Sequence, residues 1–205
     1  MGRTWIGLLL LAGVGMAYRI SQPGPLWPPA PVSQPPGLVL APDAPRQTAM
    51  GKTAPIDYQD LQLQPLARFE FDARLLSLAW YTRGAEADYS PVDLGIAWGR
   101  MSDSAHIDQL QWTHGTRFLN YRYMDQPPIP QRELDRSIAN LHVLPADEYV
   151  LRRIEALRPG ERIRGRGLLV AAKRADGWHW TSSLTREDTG NGACELIYLT
   201  AIEVH

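Results

Sequence analysis

Lysine is almost missing from this chain. Of its 21 basic residues only Lys52 and Lys173 are lysine, and the rest are arginine. Cysteine is scarcer still, with Cys194 alone. A single thiol excludes an intramolecular disulfide and any cysteine-based metal cluster. No excess of either charge exists: 22 acidic residues face the 21 basic ones, for a net charge of −1. No strong field therefore recruits nucleic acid, and none is expected as a partner. The five histidines are scattered and form no His-x-x-x-His pair, so no metal site and no cofactor is expected.

A long apolar run is present, and it lies at the very start. Residues 5–18 carry no charge, with Arg3 before them and Arg19 after them. A spanning helix takes about 20 apolar residues and a signal-peptide core about 7–15, so this run sits between the two. Gly15 and Ala17 offer small residues for cleavage, but Tyr18 and Arg19 follow at once with no polar region between. Residues 1–20 are read as an uncleaved signal anchor, with the membrane contacted through residues 5–20. The large C-terminal part is then exported, which places it on the periplasmic, extracytoplasmic side of a bacterial inner membrane.

Proline comes next. Nine of the 17 prolines lie within residues 23–45. Proline fixes φ and removes a donor, so helix and central sheet are both excluded there. Residues 21–60 are expected to be a disordered, proline-rich linker, largely extended, that sets the reach of the C-terminal part.

Residues 61–205 are expected to form one soluble α+β domain, a small and mostly antiparallel β-barrel or sheet with short helices. Phe69 and Phe71 alternate with Arg68, Glu70 and Asp72, and a face switch before Leu76 suggests a bulge near Ala73. Ser90-Pro91-Val92-Asp93 has the form of a helix start, and predicts a helix ending at Gly99. Residues 107–112 and 117–123 flank a turn, as in a hairpin. Short helices are expected over 131–138 and 146–157, with a brief strand at 141–144. Arg162, Arg164 and Arg166 share a strand face by the period of two. Asp176-Gly177 marks a turn, Trp178 and Trp180 share a face, and residues 195–204 close the chain as a strand. The stretch from Pro159 onward is faintly similar to OB-type small β-barrels.

The segments Ser90-Pro91-Val92-Asp93-Leu94-Gly95-Ile96-Ala97-Trp98-Gly99-Arg100-Met101-Ser102-Asp103, Arg136-Ser137-Ile138-Ala139-Asn140-Leu141-His142 and Asp176-Gly177-Trp178-His179-Trp180-Thr181-Ser182-Ser183-Leu184-Thr185-Arg186-Glu187-Asp188-Thr189-Gly190 through Cys194-Glu195 resemble an uncharacterised family of small bacterial membrane-anchored proteins. That resemblance implies an envelope location and a single domain. It implies no activity.

Four groups of residues are candidates for chemistry. Cys194 with His142 or His179 contains the minimum of a cysteine nucleophile, and Asn140, Asp147 or Asp188 could orient the imidazole. Against it, Cys194 runs straight into an apolar strand, where a thiol ordinarily packs. The histidines do not assemble a metal site. Trp178 and Trp180 stand at the base of a polar loop that carries Arg186 and Asp188, a combination suited to binding a sugar or peptide. The arginine face suits anionic head groups or cell-wall phosphates, unless Glu155, Glu161 and Glu203 neutralise it. The leading expectation is a membrane-tethered binding or assembly module of the cell envelope, with another envelope protein or a cell-wall component as partner. A cysteine-dependent cell-wall hydrolase or transpeptidase, and an adaptor subunit of an envelope complex, are the alternatives.

Overall fold

The computed structural model describes residue 25, residues 29–185 and residues 194–205. The chain is mostly sheet with a few short helices. In order come β1 (Arg46–Ala49), β2 (Ile56–Tyr58), β3 (Leu61–Trp80), β4 (Val92–Ala97), α1 (Ser104–Ile107), β5 (Gln111–Gly115), β6 (Phe118–Arg122), α2 (Gln131–Asp135), β7 (Ile138–Pro145), α3 (Glu148–Glu155), β8 (Arg162–Arg174), β9 (His179–Thr181) and β10 (Glu195–Val204).

Five strands close on themselves. β3 pairs with β4, β4 with β7, β7 with β10, β10 with β8, and β8 returns to β3. The β7–β10 pair is parallel and the other four are antiparallel. Closure leaves these five strands without a free edge along the ring. Phe69, Phe71, Leu94, Leu141, Ile163 and Ile197 are among the buried side chains of the enclosed core. They alternate along each strand with residues that face outward. Gly165 is required by this packing, because a Cβ there would lie 2.3 Å from the Phe71 ring. Helix α3, capped by Asp147 through Val150 N at 2.9 Å, buries Val150 and Ile154 in the same core.

Residues 92–97, expected to be helical, form β4. Every residue of β4 is buried. The strand lies between β3 and β7, with its inner face in the core and its outer face covered. A strand buried on both faces loses the alternating pattern that identifies one, and Ser-Pro before it imitates a cap.

The expected linker is also corrected in part. From Pro29 onward the chain is extended, as the prolines require, but it is packed rather than free. Val32 N donates to Pro159 O at 2.7 Å. Three consecutive residues clip the strap: Ser102 Oγ accepts from Ala41 N at 3.0 Å, Asp103 Oδ1 accepts from Gly37 N at 2.8 Å, and Ser104 Oγ donates to Gln34 O at 2.9 Å. Ala41 is completely buried. Gly160, at φ 94°, lets the strap approach, since a Cβ there would lie 1.9 Å from Val32 O. β1 and β2 then pair antiparallel with β3. Proline cannot donate a hydrogen bond, but it still accepts, and the amides between prolines remain free to pair.

The bulges of β3 fall at 65–67 against β8 and at 75–77 against β4, on either side of the Ala73 position expected. No helix among the described residues is long and apolar enough to cross a membrane. Residues 5–20 lie outside the described residues, as do Arg186 and Asp188.

Candidate active site

The outer face of β4 and β7 carries a polar line that the core has no use for. Asp93 on β4 stands opposite His142 on β7 in the antiparallel register. Asn140 lies two residues before His142, so both project from the same face. Cys194 immediately precedes β10, which runs parallel to β7 with Leu196 opposite His142. Two contacts set the start of β10: Ser183 N donates to Cys194 O at 3.1 Å, and Leu196 N donates to Ser182 Oγ at 3.1 Å.

His142 Nδ1 lies 2.9 Å from Asp93 Oδ1. The contact is close but off the line of a good hydrogen bond, so Nδ1 lacks a well-aligned partner among the described residues. It is a charge contact rather than a directional one. Cys194 Sγ lies 3.8 Å from Nδ2 of Asn140, two residues before His142 on the same face of β7, and the sulfur acts electrostatically on the imidazole. Burial by itself would push His142 down. The Asp93 carboxylate and the Cys194 sulfur more than offset it and raise it to about 9. His142 is therefore held as an imidazolium at neutral pH.

Asp93 is completely buried and is held by Arg117, whose guanidinium donates to Asp93 Oδ1 at 2.8 Å. The same side chain donates to Ser90 O at 2.9 Å and lies 3.9 Å over the Tyr81 ring. Burial and the nearby Asp93 charge push the Tyr81 phenol up to about 12, so it stays neutral. Arg117 sits in the β5–β6 turn, where Thr116 and Arg117 both have positive φ, 50° and 66°. That is the backbone a two-residue hairpin turn demands, usually met by Asn or Gly. The strain at Arg117 is held by its own amide, which donates to Tyr81 Oη at 3.0 Å.

A second chain of groups reaches the sulfur from the hairpin. Ser77 Oγ is 2.7 Å from His114 Nδ1, and His114 Nε2 is 2.8 Å from Asn140 Oδ1. Asn140 Nδ2 donates to Arg117 O at 3.0 Å and to Cys194 Sγ at 3.8 Å. Burial depresses His114 below its ordinary value, which keeps it neutral.

Of the residues expected to act, the structure brings Cys194 and His142 together. It does not bring His179, which is exposed on β9 with Nδ1 near Gly177 O. Cys194 is half-buried, not packed away as a strand-start thiol was expected to be. Trp178 and Trp180 are both half-buried, and the Trp180 ring lies 4.8 Å from the His142 ring. Asp147 serves α3 as its cap and takes no part. Asp93, Arg117 and His114 were not foreseen. Asp93 was hidden by its assignment to a helix, and Arg117 by its place in a turn.

Two of the three arginines of the arginine face are paired, with Asp72 and not with the glutamates expected. Arg162 grips Asp72 at 2.7 and 2.8 Å, and Arg164 reaches the same carboxylate at 3.0 Å. A cavity of about 710 Å³ adjoins this face, lined by Phe71, Tyr149, Arg153, Arg164 and Arg166 among others, and it does not include Cys194. Of the charges that line it, Arg46 pairs with Glu70 and Arg164 with Asp72. Among the described residues no group of histidine, cysteine and carboxylate side chains is arranged to hold a metal ion.

Comparisons with family models, with curated proteins and with solved structures return no match.

Proposed function

We propose that this protein is a membrane-tethered, cysteine-dependent acyl-transfer enzyme of the cell envelope, a hydrolase or transpeptidase acting through Cys194. One observation carries the reading: Cys194 at the start of β10, His142 on β7 and Asp93 on β4 lie side by side on one face of adjoining strands, with Asp93 fixed from behind by Arg117. A nucleophile, a base and an orienting carboxylate in that order are what thiol acyl transfer needs.

The steps balance. The thiolate attacks a carbonyl carbon, forming the S–C bond while the π electrons move to oxygen. Collapse expels the amine or alcohol, which takes its proton from His142. The resulting thioester is attacked by water or by a second amine, His142 accepts the proton of that nucleophile, and the sulfur leaves as thiolate. Nδ1 faces Asp93, so Nε2 is the nitrogen that remains for proton exchange.

The location of the site supports the same reading. Counted in chain order, the five ring strands lie in the order first, second, third, fifth, fourth, with α3 between the third and fourth. We read this as an OB-type barrel. Such barrels bind oligomeric ligands on the face of their second and third strands, flanked by the loops after the first and fourth. Asp93, Asn140 and His142 are on that face, Tyr81 and Ser90 come from the first of those loops, and Trp180 and Cys194 from the other. An extended envelope polymer is the substrate shape this suits. Fold alone does not fix an activity, so the side chains carry the assignment.

Residues 5–20 are proposed to hold the enzyme at the membrane, with the domain on the extracytoplasmic side. Because the strap is docked from Val32 onward, residues 21–31 are the spacer that is left. At about 3.1 Å per residue it reaches at most about 34 Å, which keeps the site near the bilayer.

The test is covalent. Full-length protein in detergent is incubated with a p-nitrophenyl ester and its intact mass is measured. An acyl adduct on Cys194 is expected, absent in Cys194→Ala and formed far more slowly in His142→Ala. No adduct, or equal labelling of the wild type and His142→Ala, removes the enzyme. The second reading, a binding module, is favoured by the half-exposed Trp178 and Trp180 beside the site. It requires that Cys194→Ser keep full function in the cell while Trp180→Ala loses it.

A further inference from the structure

The hydrogen bonds that reach Cys194 from the hairpin have a direction. Asn140 Nδ2 contacts both Arg117 O and Cys194 Sγ, so the amide must present its NH2 to that side and its oxygen to His114. A carbonyl oxygen accepts, hence His114 donates from Nε2. Its Nδ1 is then the lone-pair nitrogen, and it accepts from the Ser77 hydroxyl. Each member fixes the orientation of the next, from Ser77 through His114 and Asn140 to the sulfur. If His114 were an imidazolium, both its nitrogens would donate, and the Ser77 hydroxyl would have to turn round. Burial keeps the ring neutral and the order intact.

Nothing in the fold demands this arrangement. Ser77 is on β3, His114 on β5 and Asn140 on β7, and three elements converge on one buried amide. A simple hairpin dock would be served by apolar contacts such as Leu119, which already packs against Gly95. The convergence ends on the one sulfur of a cysteine in the protein.

We propose that Asn140 is a second donor to the Cys194 thiolate, opposite His142, and that His114 and Ser77 are positioning residues that lock its amide in the donating orientation. The inference rests on the reading of Cys194 as the nucleophile. In the thiol state the S–H points to Arg117 O, 3.9 Å away. Once the sulfur is a thiolate, that acceptor is of no use to it, and the Asn140 N–H, shared between Arg117 O and Sγ, takes over. The groups facing the sulfur are thus an imidazolium from β7, an amide from β7 and a carbonyl from the β5–β6 turn, with Asp93 and Arg117 one step behind. A thiolate stabilised by two donors is formed at lower pH, and it is ready before substrate arrives.

Because Cys194 is the single cysteine, the rate of alkylation by iodoacetamide reports on this thiolate alone. The rate is followed against pH in the full-length protein. The wild type is expected to inflect well below the ordinary thiol value of about 8.5. Asn140→Leu and His114→Phe are each expected to raise the inflection by about one pH unit, a roughly tenfold loss of thiolate at pH values well below it. Ser77→Ala removes only a hydroxyl and leaves the strand intact, so it guards against misfolding. It should raise the inflection by a smaller amount, with Ser77→Thr restoring it. If all three variants inflect where the wild type does while His142→Ala shifts upward, the donor role is wrong and the nucleophile reading stands. If the wild type itself inflects at the ordinary value, both fall together.

Discussion

Asp93 and His142 stand opposite one another on adjacent antiparallel strands, with Oδ1 of the one 2.9 Å from Nδ1 of the other. Neither is exposed, and Arg117 closes the pair from the hairpin side. A buried carboxylate with two cationic neighbours is costly to assemble and more costly to leave half-made.

Asp93→Asn should therefore be damaging in two ways. It removes the charge that raises His142, and it leaves Arg117 partly buried without its partner. A loss on the order of 3 kcal/mol is expected, as for breaking a buried ion pair. Thiol alkylation at neutral pH should fall as well. Denaturant unfolding and alkylation rate measure the two effects separately. An unchanged alkylation rate in folded Asp93→Asn would show that the carboxylate does not act on the site.

The two imidazoles titrate in opposite senses, which sets a pH window. His142 is raised in the folded state, to about 9. Its contribution to stability is complete below the unfolded value of about 6.5 and is lost as pH rises through about 9. His114 is depressed in the folded state. Its contribution is complete above about 6.5 and is lost as pH falls through its folded value. Melting curves across pH should show the alkaline decline vanish in His142→Phe and part of the acid decline vanish in His114→Phe. An alkaline limb unchanged by His142→Phe would contradict the raised value.

The strap changes what proteolysis should find. Residues 32–41 are held by the clip at Ser102, Asp103 and Ser104, and residues 46–49 and 56–58 are in the sheet. Cleavage is expected before Val32 and not between 32 and 60. Asp103→Ala removes the α1 cap and the bond to Gly37 together, at a cost of about 1–2 kcal/mol, and should open the strap to cutting. Rapid cleavage near Lys52 in the wild type would show that the strap does not hold.

Most of the sheet was legible in the sequence. The alternation at Phe69 and Phe71, the Arg162–Arg166 pleat and the Asp176-Gly177 turn have local causes, and the structure has them; the hairpin expected to turn at 113–116 is present but turns at Thr116 and Arg117, with 113–115 in β5 and Ile107 in α1. What was not legible depends on contacts distant in the chain. β4 is buried on both faces only because β3, β7 and the hairpin surround it, so its sequence carries no period. The strap is ordered by three side chains more than 60 residues away. For the site, the pairing of Cys194 with His142 was visible as a possibility from residue types. The choice of His142 over His179, and the parts played by Asp93 and Arg117, depend on the parallel pairing of β7 with β10, which no local pattern announces.

Gly95 offers the sharpest test of how the hairpin serves the site. It lies opposite Asn140 on β4, and a Cβ there would fall 2.6 Å from Ser77 Oγ and 3.0 Å from Leu119. Glycine is thus what allows β3 and the hairpin to close over the same point, with Ser77 turned to His114. In Gly95→Ala the hydroxyl must move and the hairpin must lift. Overpacking of this kind costs about 1–3 kcal/mol. The consequence at a distance is more informative than the stability loss. With Ser77 displaced, His114 Nδ1 loses the hydroxyl that donates to it, the Asn140 amide is free to turn, and Cys194 should alkylate more slowly at neutral pH, although no residue touching the sulfur has changed. Ser77→Ala combined with Gly95→Ala should then recover stability, because the clash with Oγ is gone, but not the alkylation rate. Recovery of both would mean that the hairpin acts on the thiol through packing and not through the chain of hydrogen bonds.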